Sequence, residues 1–319
     1  MKLSQLQTLV AVVEYGGTRA AARELNISQA AVTKSMRLME EGAGLPLLVR
    51  QSRGISLTSA GTRLLERARI ISRQAALAVE ELRQIGGEDF GTVQVGVTPF
   101  LTFTGLGPAF SWFRQRYQNV EVSVMEGLMS RVLPRLRNGT LDIAAVAADV
   151  GEVQGEEFRI QRILQTKQYI AVREGHPMLN NPTARNLASC EWVLTQPFGS
   201  GKQPRLEAMF RLAGVAPPSR VTSCEALSAM ALMRSTDVVG IVPAPLLGHF
   251  DSSGIVAIKE EIFHPSDVEL LILTRADVPL TPAAEYFAHC LARVSQKPDA
   301  IPTETNERNV RKNSKGAPA

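Results

Sequence analysis

Apolar positions at the start of the chain recur at helical spacing. Leu6, Leu9, Val10 and Val13 share one face of a helix over residues 3–13, which the Gly16–Gly17 pair ends. Thr18 is placed to cap a second helix that runs through Ala21 and Ala22 to Leu25. After the short turn Asn26-Ile27-Ser28, Ser28 is placed to cap a third. That helix carries Val32, Met36 and Met39 inward and turns Gln29, Thr33, Lys34 and Arg37 outward. Two helices joined by so short a turn, the first with small residues at the crossing, predict a helix-turn-helix. The runs Leu47–Arg50 and Ile55–Leu57, set around Gln51-Ser52-Arg53-Gly54, predict a two-stranded wing with a basic tip.

Thr58 then opens a long helix without proline, reaching about Ile85. Its apolar positions Leu64, Ala68, Ile71, Ala75, Ala78, Leu82 and Ile85 alternate spacings of four and three. That 3.5-residue repeat is the seam of a two-helix coiled coil, so a homodimer through this helix is expected. Gly86-Gly87 and the residues to Gly91 read as a hinge.

From Thr92 onward the pattern changes to short apolar strands alternating with helices. Val93–Val97, 120–125, 143–146, 169–172, 192–194, 238–242 and 270–273 read as strands. Residues 105–117, 130–138, 203–213, 225–234 and 282–294 read as helices. The alternation predicts an α/β fold with a largely parallel sheet. The stretch 297–319, rich in Pro, Asn, Lys and Glu, is expected to be a disordered tail.

Composition narrows the class. Of the 319 residues, 45% are hydrophobic and 21% charged, the balance of a chain with ample core. The longest apolar run, residues 143–148, is six residues, far below the ~18 that span a bilayer. The first residues, Met1-Lys2-Leu3-Ser4-Gln5, lack a continuous apolar stretch and a small-residue cleavage site, so no secretion signal is expected. Three widely spaced cysteines, Cys190, Cys224 and Cys290, make neither a disulfide framework nor a metal knuckle. The expectation is a cytoplasmic protein without membrane contact. The net charge is +4, and residues 1–58 hold seven cations against four anions, so most of the excess lies in the helical N-terminal part.

The residues Ala21-Ala22-Arg23-Glu24-Leu25, Ser28-Gln29, Thr33, Met39-Glu40, Leu47–Arg50 and Leu57-Thr58-Ser59-Ala60-Gly61 resemble those of the LysR-type transcriptional regulators. Farther on, Glu126-Gly127, the run Leu136–Asp142, Gly175-His176-Pro177 and Gly240-Ile241-Val242-Pro243 are similar to the same family. Ala30 stands where its members usually have proline, Leu48 where Phe is common, and Met129 where a polar effector ligand is frequent. The resemblance implies a winged helix-turn-helix over 1–58, a linker and dimerisation helix over 59–87, and an effector domain over 92–296. That last domain would have two lobes, 92–164 plus 266–296 and 165–265, similar to periplasmic binding proteins. It also implies a homotetramer that binds double-stranded DNA and a small-molecule effector.

A helix reading the major groove needs short or forked polar side chains on its outward face near its start. Gln29 suits a base edge, Thr33 a base or its methyl, and Lys34 and Arg37 guanine edges or phosphates. Arg53 at the wing tip suits a narrow minor groove, where the potential is most negative. Arg50, Ser28 and Thr18 complete the expected DNA contacts, Thr18 with a phosphate at the start of its helix.

An open α/β sheet offers a ligand crevice at its strand C-termini. Thr98, Pro99, Phe100 and Thr102 follow the first strand of the α/β region. Phe198, Gly199, Ser200 and Lys202 follow the 192–194 strand, and Ser223 precedes another helix. With Met129 these form the expected effector site. It favours a small organic acid, with Thr98 capping a helix, Phe100 and Met129 covering the apolar part and Lys202 closing from the other lobe. Four scattered histidines, no phosphate loop and Ser200 without a partner leave no catalytic set, metal site or cofactor, so no enzyme is expected. Cys190 and Cys224, each beside a glutamate, are poorly placed for peroxide sensing. The rival reading is a small-molecule carrier or binding enzyme with an incidental helical N-terminus.

Overall fold

The computed structural model describes residues 1–51, 54–195, 204–247, 254–259, 262–263 and 265–295. The expected tail lies outside the described residues.

Three helices and a hairpin form the N-terminal domain: α1 (Leu3–Glu14), α2 (Thr18–Glu24), α3 (Gln29–Ala43), β1 (Leu48–Gln51) and β2 (Gly54–Leu57). β1 and β2 pair antiparallel from Leu48 opposite Leu57 to Gln51 opposite Gly54, which makes the expected wing. Leu6, Leu9 and Val12 of α1, Ala21 and Ala22 of α2, and Val32, Met36 and Met39 of α3 close one core. The two alanines let α2 cross its neighbours closely. Each exposed residue of α3 is offset from that apolar stripe, as a 3.6-residue period requires.

Helix α4 (Ser59–Ile85) starts from Thr58, whose Oγ1 accepts the Gly61 N–H at 2.9 Å and donates to the Pro46 carbonyl at 2.8 Å. Gly61 is needed there because a Cβ would overlap the Leu47 carbonyl. The expected heptad seam divides in two. Leu64, Leu65 and Ala68 pack into the N-terminal core, so the first heptad belongs to the chain's own domain. From Ile71 the stripe emerges, and Ile71, Val79, Leu82 and Ile85 are exposed.

The C-terminal region holds two five-stranded sheets. In the first, β3 (Thr92–Val97), β4 (Glu121–Glu126), β5 (Ile143–Asp149), β6 (Phe158–Thr166) and β12 (Val268–Arg275) lie in the order β4-β3-β5-β12-β6. The second contains β7 (Gln168–Arg173), β8 (Glu191–Thr195), β9 (Val221–Cys224), β10 (Val238–Pro243) and β11 (Ile255–Ala257), ordered β11-β7-β10-β8-β9. The helices are α5 (Pro99–Thr104), α6 (Leu106–Arg116), α7 (Met129–Arg137), α8 (Ala184–Ser189), α9 (Pro204–Leu212), α10 (Ala226–Ser235) and α11 (Pro282–Ser295).

Both sheets are mixed rather than largely parallel. β3 pairs parallel with β4 and β5, but β12 is antiparallel to β5 and β6. In the second sheet β8 pairs parallel with β9 and β10, while β7 is antiparallel to β10 and β11. The cause is the chain path. It crosses between sheets after β6 and returns before β12, and the strands at these crossings enter against the parallel set. β6, β9 and β11 lie at sheet edges and lack the continuous apolar run of a strand buried on both faces. The helix expected over 105–117 is preceded by α5, and the two meet at Gly105. One apolar cluster spans both lobes, joining Phe100, Leu101 and Phe113 to Val193, Met233, Val242 and Leu246.

A polar clasp joins α4 to the first sheet. Arg73 Nη2 donates to Asp142 Oδ2 at 3.0 Å and to the Thr92 carbonyl at 3.1 Å. Arg73 Nη1 meets Glu80 at 3.4 Å, and the other oxygen of Glu80 accepts the Thr92 N–H. Asp142 also accepts the Gln94 N–H at 2.8 Å, and Gln84 accepts the Ala283 N–H at 2.9 Å. Burial pushes the Asp142 carboxyl above the usual carboxylate range, with Arg73 opposing the shift.

Candidate nucleic-acid interface and effector crevice

The geometry of α3 begins with Ser28. Its Oγ accepts the Ala31 N–H at 3.1 Å, the expected cap. Asn26 ahead of it takes a left-handed backbone, φ 52°, a conformation asparagine tolerates and one that turns the chain sharply between α2 and α3. Ser28, Gln29, Thr33, Lys34 and Arg37 are all exposed, while Val32, Met36 and Met39 behind them are buried. Thr33 Oγ1 donates to the Gln29 carbonyl at 3.0 Å. Arg37 pairs with Glu41 at 3.0 Å on the surface. Such a pair is worth only ~0–1 kcal/mol, so exchanging Glu41 for a phosphate costs little.

Thr18 departs from its expected place as a helix cap. Gly17 occupies the cap position of α2, and no side chain caps that helix. Thr18 is already the first helical residue, and its Oγ1 accepts a 3.4 Å hydrogen bond from Gln29 Nε2. The hydroxyl thus steadies the side chain expected to read bases. Arg50 is the third residue of β1, opposite Ile55; its side chain, and all of Arg53, lie outside the described residues.

Glu40 takes a part that the sequence reading did not assign. Its Oε1 accepts the N–H groups of Leu47 (2.8 Å) and Leu48 (3.1 Å), fastening the base of the wing to α3. The available signal was its position. Four residues after Met36, it falls beside the buried stripe, where a carboxylate needs donors.

In the first sheet, β3, β4 and β5 run in one direction; β3 and β4 end level, at Val97 before Thr98 and at Glu126 before Leu128-Met129, and β5 continues to Asp149. In the second, β8 and β9 end at Thr195 and Cys224, ahead of α9 and α10. These two sets of strand ends are joined by ion pairs. Arg205, in the first turn of α9, meets Asp149 at 2.8 Å and Glu152 at 2.9 Å. Arg131 of α7 meets Glu225, the cap residue of α10, at 3.8 Å. The crevice predicted from strand order therefore has charged groups across it, none of them singled out from the sequence. Burial raises the Asp149 carboxyl, Arg205 lowers it, and Glu152 adds to the rise.

The expected effector residues are placed unevenly. Thr98 is buried at 3% exposure and does not cap α5 with its side chain. Its Oγ1 accepts the Ala147 N–H at 2.9 Å, while its own N–H donates to the Ala145 carbonyl at 3.0 Å. The hydroxyl joins the end of β3 to β5, because Ala147 lies two residues past the last β3 pairing, Val97 opposite Ala145, and has an N–H to satisfy. Thr102 Oγ1 reaches the Thr98 carbonyl at 3.5 Å. Pro99 and Phe100 are buried, and the Phe100 ring belongs to the cluster shared by the lobes instead of covering an open pocket. Met129 is half-buried against the cluster around Val132 and Val146. Ser223 is half-buried in β9. Phe198, Gly199, Ser200 and Lys202 lie outside the described residues.

The thiols of Cys190 and Cys224 are both pushed up by burial, and Glu225 adds to the rise at Cys224. Neither is poised as a thiolate. Among the described residues, no three His, Cys, Asp or Glu side chains gather as a metal site, and no helix is long and apolar enough to cross a membrane.

Comparison with known proteins follows this division of the chain. Residues 3–62 match the family model of bacterial regulatory helix-turn-helix proteins of the lysR family. Residues 86–296 match the LysR substrate binding domain. The HTH-type transcriptional regulator GbpR of Azospirillum brasilense is 30% identical over 290 residues, 89% of this chain and 84% of that one. TdcA of Escherichia coli K12 is 25% identical over 260 residues, 82% and 83% of the two chains. Among solved structures, full-length CbnR complexed with its target DNA shares the fold with a TM-score of 0.64 at 24% identity, over 92% of this chain and all of that one. ArgP from Mycobacterium tuberculosis gives 0.68 at 19% identity, over 91% and 96%. The curated relatives match across both domains, so the helical N-terminus is no incidental appendage. With a DNA-binding helix-turn-helix ahead of an effector-binding domain, the chain belongs to the LysR family of transcriptional regulators.

Proposed function

We propose that this regulator reads double-stranded DNA with the exposed face of α3 and responds to a small organic acid bound between its two lobes. Gln29 reads a base edge from a side chain steadied by Thr18, and Thr33 contacts a neighbouring base. Lys34, Arg37 and Ser28 engage phosphates or guanine edges, and Arg50 and Arg53 act from the wing. The observation that carries this reading is the division of α3, whose Gln29, Thr33, Lys34 and Arg37 are exposed from its first turn while Val32, Met36 and Met39 are buried. The effector, with Thr102, Met129, Ser223 and the 198–202 segment around it, changes DNA binding only as far as it prefers one arrangement of the lobes. No cofactor, metal or catalysis enters this function, which is exercised in the cytoplasm.

Two copies join through the exposed stripe of α4 from Ile71 to Ile85. Supporting a tetramer, β4 and β9 are edge strands of their sheets, and Val124 of β4 and Leu227 of α10 are exposed. The test of base reading is a competition gel shift. Gln29→Ala should lose ~1–3 kcal/mol of discrimination at one operator position, whereas Lys34→Ala weakens all sequences alike. Unchanged operator selectivity in Gln29→Ala would remove its base-reading role.

A further inference from the structure

We propose that Arg205 receives the anionic group of the effector, and that Glu152 holds its guanidinium until the ligand carboxylate takes its place. This rests on the reading that the crevice between the lobes is the effector site. Arg205 stands in the first turn of α9, just beyond the C-terminal end of β8, and reaches across to the end of β5. A ligand entering between the two sets of strand ends passes this guanidinium, whose side chain is 60% exposed.

The two acidic partners are not equivalent. Asp149 is the more buried, with a side chain 22% exposed, and it meets Arg205 Nε at 2.8 Å. Glu152 is 36% exposed and meets Nη2 at 2.9 Å. Its Oε2 also accepts the Asp149 N–H at 3.0 Å, which keeps it over the turn without burying it. A guanidinium has five N–H donors in a planar fork, so one carboxylate can stay on Nε while another occupies the outer edge. Displacing Asp149 would strand a half-buried carboxylate whose buried Oδ1 is already unpartnered. Displacing Glu152 returns a carboxylate to water. Exchange at Glu152 is therefore the inexpensive route, and a ligand carboxylate reproduces the bond it replaces.

The exchange also has a mechanical result. Glu152 and Asp149 belong to the first lobe and Arg205 to the second, so the Arg205–Glu152 bond is a tie between lobes. A ligand that takes the outer edge of Arg205 replaces that tie by its own contacts and sets the lobe angle anew. The class of ligand selected is a small organic carboxylate rather than a neutral sugar or a cation.

Isothermal titration of the full chain with a panel of aliphatic and aromatic carboxylates, each paired with its uncharged amide, tests this. The expected result is that carboxylates bind and the amides do not. Arg205→Gln should weaken binding by about tenfold or more, the loss of a charge-assisted pair, and Arg205→Lys should recover part of it. Glu152→Gln removes the competitor and should tighten binding severalfold. Circular dichroism and DNA affinity establish that each variant is folded. Equal affinity in Arg205→Gln, or weaker affinity in Glu152→Gln, overturns the proposal, as does binding of no carboxylate in the panel. Thr102→Trp, designed to obstruct the crevice, separates the role of Arg205 from the location of the site. If it abolishes binding while Arg205→Gln does not, only the role of Arg205 fails. If neither changes carboxylate binding, the crevice itself is not the site.

Discussion

The recognition helix and the effector crevice use the same residue types to opposite ends. On α3, threonine, glutamine and arginine sit outside a core that is complete without them, and the partners of Thr33 and Arg37 lie on the same helix. At the crevice, Thr98 is buried and its hydroxyl satisfies the Ala147 N–H, while Phe100 is packed into the core between the lobes. A helix satisfies its interior N–H and C=O groups internally, so its outward side chains stay available to a partner. Strand ends leave backbone groups over, and the nearest hydroxyl is drawn into satisfying them. A polar residue after a strand is thus a weaker pointer to ligand contact than one on a helix face.

Helix α4 holds the two regions together, and substitutions along it carry the largest expected effects. Leu82→Glu places a charge on the exposed seam, at a cost of several kcal/mol if two copies meet there. Analytical ultracentrifugation should then find smaller assemblies, and an unchanged mass would put the seam outside the contact. Next in size, Arg73→Leu leaves Asp142 and Glu80 without their buried cation. Breaking such a pair costs ~3–5 kcal/mol. Thermal unfolding should show it, and protease access near Gly86-Gly87 should rise, while isolated DNA-domain contacts are untouched.

The contrast between the threonines is sharper still. Thr98→Val strands the Ala147 N–H and should cost ~1–3 kcal/mol in urea unfolding, with Thr98→Ser close to the native chain. Thr33→Val on the exposed face should stay within ~0.5 kcal/mol. If the two substitutions cost the same, the distinction between helix face and strand end is void. Between these two falls Ser28→Ala, about 1 kcal/mol for a lost cap, read as a small fall in melting temperature together with weaker DNA binding.

Much of the N-terminal domain was legible because its information is local. Helical period, cap residues and turn chemistry each act within a few residues, and they placed α1, α3, the wing and the start of α4. What escaped required distant partners. Glu40 finds its role only when Leu47 and Leu48 fold back on α3, and Thr18 only when Gln29 arrives beside it. In the two sheets, the buried strands β3, β5 and β10 announced themselves by apolar runs, whereas β6, with Arg159, Arg162 and Gln165 along an edge, did not. Arg205 is invisible to local reading altogether. Its partners lie more than fifty residues earlier, and only the pairing of the lobes brings them near.

The clasp around Arg73 turns α4 into a lever. One end of the helix is buried in the DNA-reading domain through Leu65 and Ala68, its middle is pinned beside the first sheet through Arg73 and Asp142, and Gln84 near its far end holds the start of α11. Its 27 residues extend about 40 Å at 1.5 Å per residue. A turn of the first lobe by roughly 10° would sweep the start of the helix, about 21 Å from Arg73, through about 3.7 Å, close to the 3.4 Å rise of one base pair. A change too small to alter any strand pairing would then shift a recognition helix by one step along the groove.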